Sequence, residues 1–81
     1  MNKQHENLDV ARRLKAVRCL EGLTQKPFSE AIGVSLPTYA NYERGATAIS
    51  FKLIVALSEK FRISADWLVT GRGDMIHKDR S

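Results

Sequence analysis

The chain has 81 residues, 43% of them hydrophobic and 27% charged, a composition typical of one small globular domain and unlike that of a disordered chain. Its 13 basic and 9 acidic residues give a net charge of +4, which suits a polyanionic partner but does not identify one. Cys19 is the only cysteine, so an intramolecular disulfide is excluded and a reducing compartment is expected.

The first half of the chain predicts one long helix and two short ones. Residues 1–8 are polar and are predicted to form a flexible N-terminal arm. A first helix is predicted over about 9–21, with Val10, Leu14 and Val17 on its inner side and Gly22 at its end. Two short helices follow, over roughly 25–32 and 36–44, and Gly33 lies in the sharp turn between them.

Thr24 and Ser35 directly precede these two short helices and are predicted to cap them. Pro27 is the third residue of its helix, so it removes one of the N–H donors that Thr24 would cap. A helix, a glycine turn and a second helix with short polar side chains outside form a helix-turn-helix arrangement. The second helix of such a pair can enter a DNA major groove.

The second half predicts two more helices. A loop over 46–49 leads to Ser50, which is predicted to cap a fourth helix with core spacing at Leu53, Leu57 and Phe61. Ser64 is predicted to cap a short fifth helix, and residues 72–81 form a C-terminal tail. The predicted fold class is therefore all-α, with a compact five-helix domain over 9–71.

Four residues of the second short helix are candidates for contact with DNA bases. Asn41 can pair with both N7 and N6 of adenine, and Thr38 offers a hydroxyl to several bases and a methyl to thymine. Leu36 and Pro37 have no polar side-chain atoms, so they would touch only a thymine methyl or a sugar. The alternative interpretation of these side chains is a solvated helix surface without a ligand.

The chain resembles the Cro and lambda-repressor type of helix-turn-helix proteins over about residues 9–71. The matching segments are Arg13-Leu14-Lys15, Arg18, Gly22-Leu23-Thr24-Gln25, Ile32-Gly33-Val34-Ser35, Asn41-Tyr42-Glu43-Arg44-Gly45 and Ile63-Ser64-Ala65-Asp66-Trp67-Leu68. The resemblance implies a lambda-repressor-like fold and a sequence-specific double-stranded DNA-binding regulator, of the phage or prophage repressor type. It also implies a homodimer on a near-palindromic operator, with dimerisation completed on DNA, in a protein encoded by a bacterium or a phage.

The same resemblance assigns phosphate contacts. Gln25, at the start of its helix, is implied to hydrogen-bond to a phosphate beside free N–H groups that favour an anion. Thr24 and Ser35 are caps first and phosphate ligands second. Arg44 is expected to contact a phosphate, and so is Thr47, because the loop that carries it should run along the DNA backbone.

The resemblance further implies that Arg18, late in the first helix, forms an ion pair with Glu43. Such a pair would lock the first helix to the DNA-reading helix and neutralise an acidic charge near the DNA. Tyr39 and Tyr42 could stack on single-stranded bases, but at this spacing they are interpreted as core residues. Trp67 is interpreted as a core or dimer-interface residue, and residues 67–75 as the candidate dimer surface.

The residue types in the chain and their positions give little support for other classes of function. The basic residues at 12, 13 and 15 are interpreted as a solvated helix face rather than a DNA contact. His5 and His77 lie in the predicted terminal segments and Cys19 is alone, so we expect no enzyme, no metal site and no cofactor. No apolar run reaches the ~18 residues of a membrane span and the polar start is no signal peptide, so a cytoplasmic protein is expected. The alternative function is a protein-interaction module of the same fold, such as an antitoxin or a co-regulator, with weak DNA binding.

Overall fold

The computed structural model describes the backbone of residues 3–77 and the side chains of residues 7–77. Five helices follow one another in this part of the chain: α1 (Lys3–Leu20), α2 (Gln25–Ala31), α3 (Leu36–Glu43), α4 (Phe51–Phe61) and α5 (Ala65–Thr70). The described residues contain no strand beyond one isolated antiparallel bridge, between Ile63 and Ile76. The all-α fold class with five helices is therefore confirmed.

The core lies where α1 crosses α3 and α5, while α2 packs on α3 and α4 packs on α5. Its members share near-complete burial and come from all five helices and from the link between α4 and α5; they include Leu14, Val17, Phe28, Tyr39, Leu53, Leu57, Ile63 and Leu68. Phe28 of α2 joins two further elements, because its ring meets Tyr39 edge-on at 5.4 Å and stacks on Phe61 at 5.4 Å. Each such aromatic pair contributes about 0.5–1.5 kcal/mol beyond the area that it buries.

The predicted N-terminal arm is wrong from residue 3 onward, and residues 1 and 2 lie outside the described part. Helix α1 begins at Lys3, well before the predicted start near residue 9. No glycine or proline interrupts residues 3–8, so nothing local stops the helix there. Leu8 also packs closely on the loop after α3: a Cβ at Gly45 would lie 2.8 Å from the Leu8 Cδ2 atom.

The predicted C-terminal tail is wrong over residues 75–77, and residues 78–81 lie outside the described part. The Ser64 N–H donates to the Met75 carbonyl at 2.8 Å, and the His77 N–H donates to the Arg62 carbonyl at 2.9 Å. Met75 packs against the core. These bonds join residues far apart in sequence, which is why the local pattern at 72–77 did not indicate them.

Three of the four predicted helix caps are present. Ser35, Ser50 and Ser64 each accept a hydrogen bond from the N–H three residues later, at 3.3, 3.1 and 3.2 Å. Thr24 precedes α2, but its side chain makes no capping bond, so that prediction is wrong. The reason is Pro27, which occupies the third position of α2 and has no N–H to donate.

Candidate nucleic-acid interface

The turn between α2 and α3 is short and closed by backbone hydrogen bonds. The Gly33 N–H donates to the Glu30 carbonyl at 3.2 Å, and the Val34 N–H donates to the Ser29 carbonyl at 3.0 Å. Gly33 has φ +77°, a left-handed conformation that favours glycine. Ile32 is buried beside the turn, and Val34 packs on the core. The turn is therefore anchored on both sides, which fixes the direction of α3 relative to α2.

Helix α3 has a buried inner side and an exposed outer side. Tyr39 is fully buried, whereas Leu36, Pro37 and Thr38 are exposed and Asn41 is half-buried. Leu36 is a large apolar side chain left 39% exposed at the start of the helix. The four predicted base-reading residues thus lie at or near the surface, as a groove-reading helix requires.

The polar residues on the outer side of α3 are bonded to close neighbours in sequence. The Ser35 hydroxyl donates to the Thr38 hydroxyl oxygen at 2.9 Å, which leaves the Thr38 hydroxyl proton free to donate elsewhere. The guanidinium of Arg44 donates through Nη2 to the Asn41 side-chain oxygen. The structure therefore brings Ser35 to Thr38 and Arg44 to Asn41, so two of the five predicted phosphate residues are bonded to a predicted base-reading residue.

The remaining predicted phosphate ligands differ in whether their side-chain hydroxyls already take part in a hydrogen bond. Thr24, Ser35 and Thr47 are exposed, and the side chains of Thr24 and Thr47 make no hydrogen bond within the described residues. Ser35 has one hydroxyl proton, and Thr38 already accepts it, so Ser35 is poorly placed to donate to a phosphate as well. Thr47 also lines an open cleft of about 450 Å³ together with Arg13 of α1 and Val69 of α5.

Glu43, at the end of α3, accepts hydrogen bonds from three elements of the fold. Arg18 of α1 donates to it twice, through Nε at 2.6 Å and through Nη2 at 3.2 Å. The Gln25 amide of α2 donates at 3.0 Å, and the Tyr39 hydroxyl donates to the second carboxylate oxygen, Oε2. We call these four residues, Arg18, Gln25, Tyr39 and Glu43, the Glu43 cluster. It contains the ion pair that the resemblance implied and ties α1, α2 and α3 together.

The Glu43 cluster is withdrawn from water. The side chains of Arg18 and Glu43 are only 13% and 6% exposed, and Arg18 Nη1 also donates to the Leu23 carbonyl at 2.8 Å. Burial acts to raise the pKa of Glu43, but hydrogen bonds from Arg18, Tyr39 and Gln25 outweigh it and hold that pKa below its usual value. Burial, followed by the bond to Glu43, raises the pKa of Tyr39. The carboxylate is therefore a charged acceptor whose partners neutralise it, and it lies inside the fold.

Two members of the Glu43 cluster had no such role in the sequence analysis. Tyr39 was placed in the core, and the four-residue spacing to Glu43 on one helix could have indicated the bond of its hydroxyl. Gln25 is eighteen residues from Glu43, and no local pattern indicates that contact. Because one amide N–H of Gln25 is bound to Glu43, a single side-chain N–H remains for the predicted phosphate contact.

Two basic residues of α1, Arg12 and Arg13, are bonded to other residues of the fold. Arg13 donates to the carbonyls of Leu68 and Val69 at 2.7 and 3.1 Å, so it satisfies the free end of α5 and holds it against α1. Arg12 lies 3.4 Å from Asp9 in an exposed pair.

The described residues include no cluster of histidine, cysteine or acidic side chains able to hold a metal ion. None of the described helices is both long enough and apolar enough to cross a membrane.

Comparisons with known proteins find relatives over most of the chain. The profile of a helix-turn-helix family matches residues 14–68. The chain is 36% identical over 64 residues to the repressor protein CI of Enterobacteria phage phi80, a match covering 79% of this chain and 27% of that protein. It is 31% identical over 55 residues to the antitoxin PezA of Streptococcus pneumoniae, covering 68% of this chain and 35% of the antitoxin.

A third relative is nearer in length. The chain is 39% identical over 57 residues to an uncharacterized HTH-type transcriptional regulator, YazB, of Bacillus subtilis, covering 70% of this chain and 83% of that protein. The chain thus spans only about a quarter to a third of the length of the phage repressor and the antitoxin. No solved structure matches the chain significantly.

Proposed function

The chain belongs to the helix-turn-helix family of DNA-binding transcriptional regulators, of the lambda-repressor type, and we propose that it is a sequence-specific regulator of the phage or prophage repressor kind. The observation that carries the proposal is the two-sided arrangement of α3. Its inner side is anchored through Tyr39 and Glu43, and its outer side exposes Thr38 and leaves Asn41 half-exposed. Such a helix can be inserted into a major groove without disturbing the contacts that hold it.

In the proposed complex, the outer side of α3 reads base edges. Thr38 keeps a hydroxyl proton to donate, because its oxygen accepts from Ser35, and its methyl can meet a thymine. Asn41 lies one turn further along the helix and offers an amide. Leu36 and Pro37 add apolar contact at the exposed start of α3. Each good base contact discriminates against the wrong base by about 1–3 kcal/mol.

Phosphate contacts place α3 in the groove. Arg44 is exposed and its guanidinium retains free donors beyond Nη2. Thr24 is a second phosphate ligand, because its hydroxyl makes no capping bond and can donate. The exposed Thr47 is a third. Gln25 has one side-chain N–H left after its bond to Glu43. These contacts bind any DNA sequence and give affinity rather than specificity.

The proposed operator is near-palindromic and is bound by a homodimer whose assembly is completed on DNA. The dimer surface lies on α5 and the residues after it, over 67–75. Val69 leaves an apolar side chain 46% exposed there, and Arg13 holds the same helix end rigidly against α1. Two copies of α3 would then reach successive major grooves about 34 Å apart. We place this activity in the bacterial cytoplasm and propose no catalytic role and no cofactor.

A second candidate function is a protein-interaction module with weak DNA binding. It is favoured by the match to an antitoxin and by the exposed Leu36 side chain at the start of α3. The two candidates differ in what α3 contacts. A regulator places it in the DNA groove, whereas an interaction module covers it with a protein surface.

The test is selection of bound sites from random double-stranded DNA, followed by affinity measurements over a series of salt concentrations. We expect an enriched near-palindromic site and a logarithm of affinity that falls with log salt by about 0.9 per neutralised phosphate. Arg44→Ala should reduce that slope. Arg12→Ala, which removes the same charge from an exposed pair on α1, should not. An affinity that is flat with salt, or the absence of an enriched site, would exclude the regulator and favour the interaction module.

A further inference from the structure

Arg13 of α1 is bonded to the carbonyl end of α5, far away in sequence. Its Nε donates to the Leu68 carbonyl at 2.7 Å, and its Nη2 donates to the Val69 carbonyl at 3.1 Å. The guanidinium also lies against the residue that ends α5, because a Cβ at Gly71 would lie 3.0 Å from Arg13 Nη1. Arg13 therefore holds the last turn of α5 by two hydrogen bonds and by close packing.

The polar side chains in the last turn of α5 are bonded within their own segment. The Thr70 hydroxyl donates to the Asp66 carbonyl at 2.7 Å and accepts from the Arg72 N–H at 3.1 Å. Such bonds shape the end of α5 but do not attach it to another element. Leu68 is fully buried and anchors α5 on the core, whereas Val69, the next residue, is 46% exposed. The exposed end of α5 is therefore positioned by the guanidinium that α1 supplies.

Helix α1 connects this end of α5 to the DNA-reading helix, because it packs on both α3 and α5. Arg18 lies five residues after Arg13 on α1 and donates twice to Glu43 of α3, at 2.6 and 3.2 Å. One arginine thus bonds α1 to α3 and the other bonds α1 to α5. A packed helix bonded at two places passes a displacement from one place to the other. The position of the proposed dimer surface relative to α3 is therefore set through α1.

This connection determines the distance between the two α3 helices of a dimer. A two-fold dimer binds half-sites one turn of DNA apart, about 34–36 Å. One added base pair moves a half-site by about 3.4 Å and turns it by about a tenth of a turn around the DNA. A dimer in which α5 is held firmly on α1 therefore fits one spacing of half-sites, and a dimer with a loose connection fits several.

We propose that Arg13 is a positioning residue for operator specificity: by holding α5 on α1, it determines which spacing of half-sites the dimer accepts. This inference rests on the proposed homodimer on a near-palindromic operator and deepens it. Arg13 acts through the position of α5, so it affects the spacing and not the bases that α3 reads.

The test measures affinity for the selected operator, for copies with one or two base pairs added or removed between the half-sites, and for a single half-site. The wild type should prefer the selected spacing. Arg13→Met keeps an unbranched side chain but removes both donors. It should reduce the preference over neighbouring spacings by about tenfold, which corresponds to the loss of one hydrogen bond from a charged group.

Arg12→Met is the matched control, because it removes the same charge from the neighbouring residue, which forms an exposed pair on α1. It should keep the wild-type spacing preference and bind a single half-site as tightly as Arg13→Met does. Arg13→Lys keeps the charge and one donor nitrogen, so its spacing preference should lie between those of the wild type and Arg13→Met. If Arg13→Met does not fold, Arg13→Lys decides, and a wild-type preference in that variant overturns the inference.

The inference is wrong if Arg13→Met weakens binding to the half-site and to every spacing equally. Arg13 would then stabilise the fold without setting the spacing. If the wild type enriches single half-sites, or pairs at no fixed spacing, the proposed homodimer has failed and the inference fails with it. If the wild type enriches no site at all, the proposed DNA-binding function has failed, which is a different result.

Discussion

The two sides of α3 are held by different kinds of contact. On the inner side, Glu43 is bonded to Arg18 and Gln25, which are 25 and 18 residues away in sequence, and its side chain is 6% exposed. On the outer side, the side chains of Thr38 and Asn41 are bonded, among the described residues, only to side chains three positions away. Within one short helix, long-range buried bonds fix its position and short-range exposed bonds orient its surface. Fold stability and DNA specificity should therefore respond to different substitutions.

The largest effect is expected from breaking the Arg18–Glu43 pair. Arg18→Ala or Glu43→Ala leaves an uncompensated charge in a nearly dry site, which costs about 3–5 kcal/mol of unfolding free energy for a buried pair. The double variant should cost less than the sum of the two, because the pair is shared. Urea unfolding of all four proteins measures this coupling.

Arg12→Ala is the matched control for that cycle. It breaks an exposed pair with Asp9 on the same helix and should change the unfolding free energy little. Additive effects of Arg18→Ala and Glu43→Ala would show that the two residues do not act as a pair.

A smaller effect is expected from the hydroxyl of Tyr39. Tyr39→Phe keeps the ring that packs edge-on against Phe28 but removes one donor to the Glu43 carboxylate. Hydrogen bonds to charged groups contribute about 1.5–3 kcal/mol, so the melting temperature should fall. Tyr42→Phe is the control, because the half-buried Tyr42 hydroxyl has no hydrogen bond to a described side chain. Equal losses in the two variants would refute a special role for the Tyr39 hydroxyl.

The lowered pKa of Glu43 predicts a pH dependence. Since the pKa is lower in the folded than in the unfolded protein, the folded protein binds fewer protons, and the stabilisation is fully present above the unfolded pKa of about 4.3. This stabilisation is lost as the pH falls through the pKa that Glu43 has in the folded protein. Urea unfolding at neutral and acidic pH should show a shallower acid loss for Glu43→Gln than for the wild type. The same acid loss in both proteins would mean that another carboxylate is responsible.

Local features of the fold were predictable from the sequence because their causes are local. Ser35, Ser50 and Ser64 cap the helices that follow them, and Gly33 closes the turn between α2 and α3. The failure at Thr24 is local too, since Pro27 lacks the N–H that the cap needs. The absence of a Thr24 cap is therefore predictable from the position of Pro27 in the sequence.

Features built by distant residues were not predictable from local patterns. Leu8 packs against the loop at Gly45, and the backbone at Met75 pairs with Ser64. The folded domain therefore includes residues that the sequence had predicted to belong to a terminal arm and a tail. The Arg18–Glu43 pair was anticipated only through the family resemblance. The bonds of Gln25 to Glu43 and of Arg44 to Asn41 depend on side-chain directions that spacing does not give.

The measurement that tests the two-sided account of α3 most directly is the ratio of affinity for the selected site to affinity for random DNA. Asn41→Ala and Thr38→Ala should each lower that ratio by about 1–3 kcal/mol in free-energy terms, with affinity for random DNA and unfolding free energy nearly unchanged. Tyr39→Phe should lower stability and leave the ratio as in the wild type. If Asn41→Ala instead weakens selected and random DNA alike, the outer side of α3 does not read bases and the account is contradicted.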